Sequence, residues 1–280
     1  MKLKAYAKIN ISLDIVGTRD DGYHLLRMIM QSIDLYDVID LNKIENGIEL
    51  KCDKKYIPTD SRNIAYKAAK LFIDTYKINK GVSIEIKKNI PTAAGLGGGS
   101  SDGAAVLKGM RAIFKPTISD EELENLALKV GADVPFLING GTALCEGIGE
   151  RIKPLKAFKN KIIVLVKPNF GVSTKQVYKE YDSCNNELHP NTDELILAIE
   201  KDNIKFICEN MGNVLEAVTI KNNPMLEKVK GNMIKFGAIG TMMSGSGPSI
   251  FAFFEDSLSA QKCFEKMKED YSQTFITRTI

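Results

Sequence analysis

The 280-residue chain is 44% hydrophobic and 26% charged, a balance within the globular range that supports one large domain or two ordinary ones and does not make disorder the default. With 38 basic against 35 acidic residues the net charge is only +3, which argues against nucleic acid or a membrane surface as partner. Five scattered cysteines without a C-x-x-C pair point to a reducing cytoplasm, and two histidines leave little material for a His/Cys metal cage.

The N-terminus lacks the apolar core of a signal peptide, and the apolar run at 162–166 is far too short to span a bilayer. In residues 5–15, Ile9, Ile11, Leu13 and Ile15 alternate with Lys8, Asn10, Ser12 and Asp14, a strand whose second set shares one polar face. For one lysine that face is more commonly the solvated side of an edge strand, and Lys8 becomes part of a site only where the glycine loop packs beside it. Residues 17–22 form a turn that delivers Tyr23 and His24 to the next apolar segment. Such a pair clamps a planar ligand by stacking and hydrogen bonding, or is simply structural. Asn46-Gly47 predicts a hairpin between strands at 38–44 and 48–52. Ile64, Ala65, Ala68, Ala69, Phe72, Ile73 and Tyr76 form a helical apolar stripe.

The alternation of Val82, Ile84 and Ile86 predicts a strand, and helical spacing resumes over 104–114. Between them run Pro91, Thr92, Ala93, Ala94, Gly95, Leu96, Gly97, Gly98, Gly99, Ser100 and Ser101. Strand, glycine loop and helix in that order make an anion site, because glycines admit close backbone approach and a helix start offers free N–H groups. Ser100, Ser101 and Asp102 are candidate caps for the helix. The stretch lacks the lysine of a P-loop and the third glycine of the dinucleotide fingerprint.

Ser119 with Glu122 is a capping box for a helix that stops at Gly131. Asp133, just before Pro135, reads as an ordinary N-cap or as a carboxylate poised at a helix start. Residues 140–150 predict a strand and glycine turn, and 161–167 a buried strand that opens a second domain, giving domains 1–160 and 161–280. Beyond it come an N-cap at 171–174, a helix bearing Tyr178, a polar loop through Asn191, and helices over 192–200, 204–220 and 224–236. A glycine turn at 243–249 joins two strands, and a helix at 259–271 and a strand at 275–280 close the chain.

Three of these stretches, Lys8-Ile-Asn10, Pro91 through Ser101, and Ser244-Gly-Ser-Gly-Pro248, resemble the three motifs of the GHMP kinases. Within that family residues 7–10, 21–24, 95–102 and 131–135 resemble the branch that phosphorylates a cytidylated methylerythritol. The resemblance implies an α+β architecture, a two-domain α/β kinase fold with an N-terminal glycine-loop nucleotide-binding domain and a ferredoxin-like C-terminal domain. It implies ATP and Mg²⁺ as cofactors, with the loop amides of Gly95 to Ser101 on the phosphates and Ser100 or Ser101 helping to hold the metal. Asp133 then matches the catalytic aspartate and Lys8 the lysine that stabilises developing charge. His24 matches the reader of the cytosine edge, Tyr23 and Tyr178 the aromatics around the base, and Asn10 and Thr174 contacts to the rest of the substrate. Asn63 and Lys88 are candidates for the adenine side. The implied partner is a small-molecule substrate, the cytidine diphosphate derivative of methylerythritol, and not nucleic acid or membrane; a monomer or homodimer is expected. A GHMP kinase acting on homoserine, mevalonate or a sugar, and a catalytically silent nucleotide sensor, are the rival readings.

Overall fold

The structure is a computed structural model that describes residues 1–184 and 189–280. The first half of the chain forms β1 (Lys2–Thr18), β2 (His24–Ile44), β3 (Ile48–Cys52), α1 (Ile64–Tyr76), β4 (Gly81–Lys87), α2 (Gly98–Phe114), α3 (Asp120–Leu128), α4 (Val134–Asn139), β5 (Thr142–Gly147) and β6 (Arg151–Pro154). The second half forms β7 (Ile162–Lys167), α5 (Thr174–Tyr181), α6 (Thr192–Glu200), α7 (Ile204–Asn210), β8 (Gly212–Asn213), α8 (Val214–Asn222), α9 (Met225–Lys235), β9 (Gly240–Met243), β10 (Ile250–Phe254), α10 (Ser257–Asp270) and β11 (Gln273–Arg278). The polar loop expected through Asn191 falls partly outside the described residues. Two compact units interleave along the chain. The first comprises Met1–Ala7, Leu35–Ile90 and Gly97–Gly140, and the second Lys8–Asp34, Pro91–Leu96 and Gly141–Ile280.

In the first unit β4 pairs antiparallel with the second half of β2, from Val38 opposite Lys87 to Ile44 opposite Gly81. It pairs parallel with β3, from Ile48 opposite Val82 to Cys52 opposite Ile86. The expected hairpin is therefore wrong. Gly47 does turn the chain at φ 77°, but β4 inserts between the strands it joins. The physical reason is burial: Val82, Ile84 and Ile86 are all at most 1% exposed, and a strand this apolar gains most from a partner on each side. Gly81 permits the insertion, since a Cβ there would lie 2.3 Å from the Gly47 carbonyl oxygen. Against this sheet pack α1 and α2, α1 burying Ala65, Ala68, Ala69 and Phe72. Its apolar stripe is the one the sequence predicts, capped by Asn63, whose side chain accepts from the Ala65 N–H. The Ser119 capping box of α3 is also as expected, with Ser119 Oγ accepting from the Glu122 N–H at 3.1 Å.

In the second unit β5 pairs with the first half of β2 and with β6. A separate antiparallel sheet runs β11-β7-β10-β9. Numbered within itself as β7, β9, β10 and β11, this sheet has spatial order 4-1-3-2 with helices after its first and third strands, the ferredoxin-like arrangement. The strand pairs are fully apolar at the centre, where Phe251, Phe253, Leu165 and Val164 have no exposure.

The single helix expected over 204–220 is two. Gly212 and Asn213 leave the helical path and pair parallel with Ser12 and Leu13 of β1. Asn213 then caps α8 by accepting from the Leu215 N–H at 3.0 Å, while its Nδ2 donates to the carbonyls of Met243 and Gly245 at 2.9 and 2.7 Å. An asparagine that can satisfy backbone groups outside a helix competes with helix formation, and a glycine beside it removes the remaining resistance.

Candidate active site

The second unit holds most of the predicted contacts. Lys8 and Asn10 lie on β1, and neither is on a solvated face: they are 5% and 0% exposed, which overturns the edge-strand reading. Lys8 Nζ donates to Asn10 Oδ1 at 2.8 Å. The Lys8 N–H donates to the Leu96 carbonyl at 3.1 Å, so the loop's first half is pinned to the strand where the lysine stands. The turn after β9 meets the same place. Ser244 Oγ donates to the Gly95 carbonyl at 3.0 Å, and a Cβ on Gly245 would lie 3.5 Å from Lys8 Nζ. Gly95 is at φ 74°, and a side chain there would put its Cβ 2.0 Å from the Ser244 carbonyl oxygen. Two sequence-distant glycine turns thus touch backbone to backbone beside a buried ammonium, an approach only glycine permits.

His24 begins β2 with its side chain 13% exposed. Its Nε2 is 2.6 Å from Asp182 Oδ1, and its ring lies 5.0 Å from that of Tyr178 at a tilt of 32°. Tyr181 meets the imidazole edge-on at 6.4 Å and 85°. The structure therefore brings His24 and Tyr178 together, on a helix opened by Ser173, which accepts from the Gln176 N–H. Tyr23 precedes this group and is 62% exposed. Thr174 Oγ1 is 2.8 Å from Ser246 Oγ, linking the first turn of α5 to the Ser244 turn.

The first unit holds the second half of the glycine loop. Helix α2 starts at Gly98, six residues before its predicted start, and its N-cap is Gly97 in the left-handed region at φ 69°, with no side chain to offer. The first-turn N–H groups are consequently not taken by an N-cap side chain, which suits an external anion. None of Ser100, Ser101 and Asp102 is the N-cap of the helix, contrary to expectation. Ser101 Oγ donates to the carbonyls of Tyr6 and Gly97 at 2.7 and 3.0 Å. Of the two serines named for the metal, Ser101 is buried with its hydroxyl donating to backbone carbonyls, and Ser100 is half-buried. Pro91, Ala94 and Leu96 are buried, Thr92 half-buried and Ala93 exposed, and Ala93 takes a positive φ of 49°. Gly99 packs so closely that a Cβ would meet Ile64 Cδ1 at 3.2 Å.

Asp102 instead joins a buried ion cluster. Lys88 Nζ donates to Asp102 Oδ2 at 2.7 Å and to Asp37 Oδ2. Asp37 Oδ1 accepts from the N–H groups of Asn89 and Ile90 at 2.6 and 2.8 Å. The second oxygen of Asp102 is buried, with no hydrogen-bond partner among the described residues. Burial pushes the Asp102 carboxyl up to about 8, against the pull of the Lys88 charge. Burial lowers the Lys88 ammonium, but the attraction of Asp102 and Asp37 outweighs it and the net shift is upward. Neither Asn63 nor Lys88 is a free adenine contact: Asn63 Nδ2 donates to the Pro58 carbonyl at 2.7 Å, and Lys88 is committed to its carboxylates. Asp133 stands at the N-cap position of α4 with φ −80° and ψ −15°, its carboxylate making no capping bond to the helix. The plain N-cap reading is thereby removed.

The sequence offered no sign of Asp37 or Asp182 as partners, whereas Ser246 lies inside the Ser244 motif it did mark. Asp37 lies in an apolar strand and its partner Lys88 is 51 positions away, a pairing that no local pattern encodes.

Family models for the GHMP kinases N terminal domain and the GHMP kinases C terminal domain match residues 63–141 and 195–273. The chain belongs to the GHMP kinases. Among its relatives, the 4-diphosphocytidyl-2-C-methyl-D-erythritol kinases of Clostridium botulinum strains Alaska E43 and Kyoto are 61% and 60% identical, covering 100% of both chains in each case. A crystal structure of 4-(cytidine 5'-diphospho)-2C-methyl-D-erythritol kinase superposes with a TM-score of 0.85 at 30% identity, over 100% of this chain and 99% of that one. The similarity thus extends to the particular branch of 4-diphosphocytidyl-2-C-methyl-D-erythritol kinases, and the fold is the α+β kinase fold expected from the motifs.

Proposed function

We propose that the chain transfers the γ-phosphoryl group of ATP to the tertiary 2-hydroxyl of 4-diphosphocytidyl-2-C-methyl-D-erythritol, a step in the non-mevalonate route to isoprenoid precursors. The observation that carries this reading is full-length identity of 60% to kinases of that name.

The chemistry assigns a role to each group. A tertiary alcohol is a weak nucleophile, so its proton must leave as the new P–O bond forms. Asp133, uncommitted to capping α4, is the base that accepts or orients that proton, a contribution of about 10²–10⁴-fold in rate. Lys8 supplies positive charge to the developing alkoxide, and its burial beside Asn10 makes that charge count for more than it would in water. The amides from Gly95 to Ser101 receive the nucleotide phosphates, with Pro91 to Ala94 shaping the approach. Magnesium is a hard cation that enters with nucleotide phosphates and needs oxygen donors. The Ser100 hydroxyl fits it, and the ion would supply charge neutralisation at the phosphates. Tyr23, His24 and Tyr178 take the cytosine, and Asn10 and Thr174 the remainder of the substrate. Residues 1–160 make the ATP-binding domain, which also lends Asn10, Tyr23 and His24 to the substrate, and residues 161–280 the substrate-side domain. The five cysteines form no disulfide among the described residues, which supports work in the cytoplasm, as a monomer or homodimer. Among the described residues no helix is long and apolar enough to cross a membrane.

The test is ADP release from ATP and Mg²⁺ with the cytidylated alcohol, its uncapped form, homoserine and mevalonate in turn. Turnover confined to the cytidylated alcohol is expected. Equal rates on the capped and uncapped alcohols would remove cytosine recognition from the account.

A further inference from the structure

Asp182 is not one of the residues that the kinase motifs supply, yet it makes the 2.6 Å contact to His24. It follows Tyr178 by one helical turn, so the two side chains share a face of the helix end. Its own N–H donates to the Tyr178 carbonyl at 3.2 Å, which fixes the carboxylate relative to the tyrosine that lies on the imidazole. The Asp182 side chain is 56% exposed. Exposed ion pairs contribute little to folding, so stability does not account for this contact.

The contact decides which ring nitrogen carries hydrogen. An ionised carboxylate offers only acceptors, and the atom facing it must therefore be an N–H. In the neutral ring that leaves Nδ1 bare, a lone pair and nothing else. Among the described residues no hydrogen-bond partner meets Nδ1. A bare ring nitrogen accepts from an amine and repels a carbonyl. Cytosine presents an exocyclic amine on its pairing edge, where uracil presents a carbonyl oxygen.

We propose that Asp182 is a positioning residue that holds His24 as the Nε2–H tautomer, so that Nδ1 selects a pyrimidine bearing an exocyclic amine over one bearing a carbonyl. The base selection rests on the kinase reading above; the tautomer does not. Tyr178 and Tyr181 hold the ring plane, and Asp182 sets its polarity. Loss of the carboxylate lets the ring turn or exchange tautomers, which weakens cytosine binding and relaxes the bar against uracil while leaving phosphoryl transfer to other residues.

The experiment has two independent readouts. The chain has only two histidines, so ¹⁵N-imidazole NMR at about pH 8, above the ordinary histidine range, reads each tautomer, with His189→Gln assigning the signals. The wild type is expected to show His24 as Nε2–H, and Asp182→Asn to show a mixture. In turnover, Asp182→Asn and Asp182→Ala are expected to raise KM for the cytidylated alcohol about three- to tenfold, the worth of one hydrogen bond, with kcat spared. Preference over the uridylated analogue should narrow, and Asp182→Glu should restore most of it. A wild-type His24 found as Nδ1–H, or an unchanged base preference in Asp182→Ala, overturns the proposal. A wild type that turns over no cytidylated alcohol sinks the kinase reading instead, and the NMR readout still decides the tautomer.

Discussion

Replacing Lys88 with methionine tests the buried ion cluster. The Lys88, Asp37 and Asp102 side chains are 4%, 0% and 5% exposed, so the substitution leaves two carboxylates facing each other out of water. Asp37 keeps two backbone N–H donors, at 2.6 and 2.8 Å. Asp102, whose carboxyl is already raised to about 8, retains neither the ammonium nor, among the described residues, a partner for its second oxygen, and keeps its proton at neutral pH. Removing one member of a buried pair costs about 3–5 kcal/mol, a large share of the roughly 5–15 kcal/mol that holds a domain folded. Because Asp102 already carries its proton at neutral pH, the substitution bares less charge than in a fully ionised pair, and the expected loss lies at the lower end of that range. The measurement is urea unfolding of wild type, Lys88→Met and Lys88→Met/Asp102→Asn at neutral pH, with the double variant regaining part of the loss. Its pH dependence has a definite sign. The folded Asp102 carboxyl is raised to about 8 from an ordinary 3.8, so between those values the folded state holds the extra proton. Stability relative to Asp102→Asn is greatest below the lower value and falls as pH rises toward the upper one. A Lys88→Met loss under about 1 kcal/mol, or a wild type that gains stability over Asp102→Asn as pH rises, would refute the reasoning.

Asp133→Asn is expected to keep ATP affinity and lose about two orders of magnitude or more in kcat, read by single-turnover kinetics; unchanged turnover would remove the aspartate from the chemistry. Gly95→Ala forces a side chain into a backbone at φ 74° with its Cβ 2.0 Å from the Ser244 carbonyl oxygen. We expect a loss of at least about 1–2 kcal/mol in denaturant unfolding and a raised KM for ATP, and a fully stable alanine variant would contradict the close approach of the two turns. His24→Ala is expected to raise KM for the cytidylated alcohol while sparing KM for ATP; a selective loss of ATP binding would show the two pockets exchanged.

What the sequence made legible was local. The stripe of α1, the Ser119 capping box and the alternation in β4 each depend on residues within a turn or a strand of one another, and each is present. The three kinase motifs were equally legible, since each is contiguous. Pairings that depend on which strand arrives between two others were not. Asn46-Gly47 specified a reversal of the chain and could not specify that Val82, Ile84 and Ile86 would enter between the reversed strands. The start of α2 was missed for a related reason: a run of glycines has low helix propensity, and only packing against Ile64 and Ile90 makes helix the better conformation there. Gly212 and Asn213 break the predicted long helix because Asn213 finds carbonyls thirty positions away, at Met243 and Gly245.

The polar row on β1 shows where sequence and structure had to be read together. Alternation placed Lys8, Asn10, Ser12 and Asp14 on one side, and the same pattern describes a wet outer face or a buried one. Burial settled it, with all four at most 8% exposed. A strand buried on both faces is most stable with apolar residues on both, because each buried polar group must be compensated by a partner. Ser12 is compensated by framework, its Oγ accepting from the Ile29 N–H at 3.1 Å, and Asp14 by His189 Nδ1 at 2.6 Å. These two pairings join the strand to its neighbours and have a structural explanation. Lys8 and Asn10 differ in where they stand, bonded to each other at the point where the strand's backbone holds Leu96 and the Ser244 turn closes on Gly95. A purely structural strand would carry a valine or isoleucine there at no desolvation cost. A buried ammonium beside a phosphate-type loop is the arrangement that phosphoryl transfer requires, and it is this half of the row that the kinase reading explains.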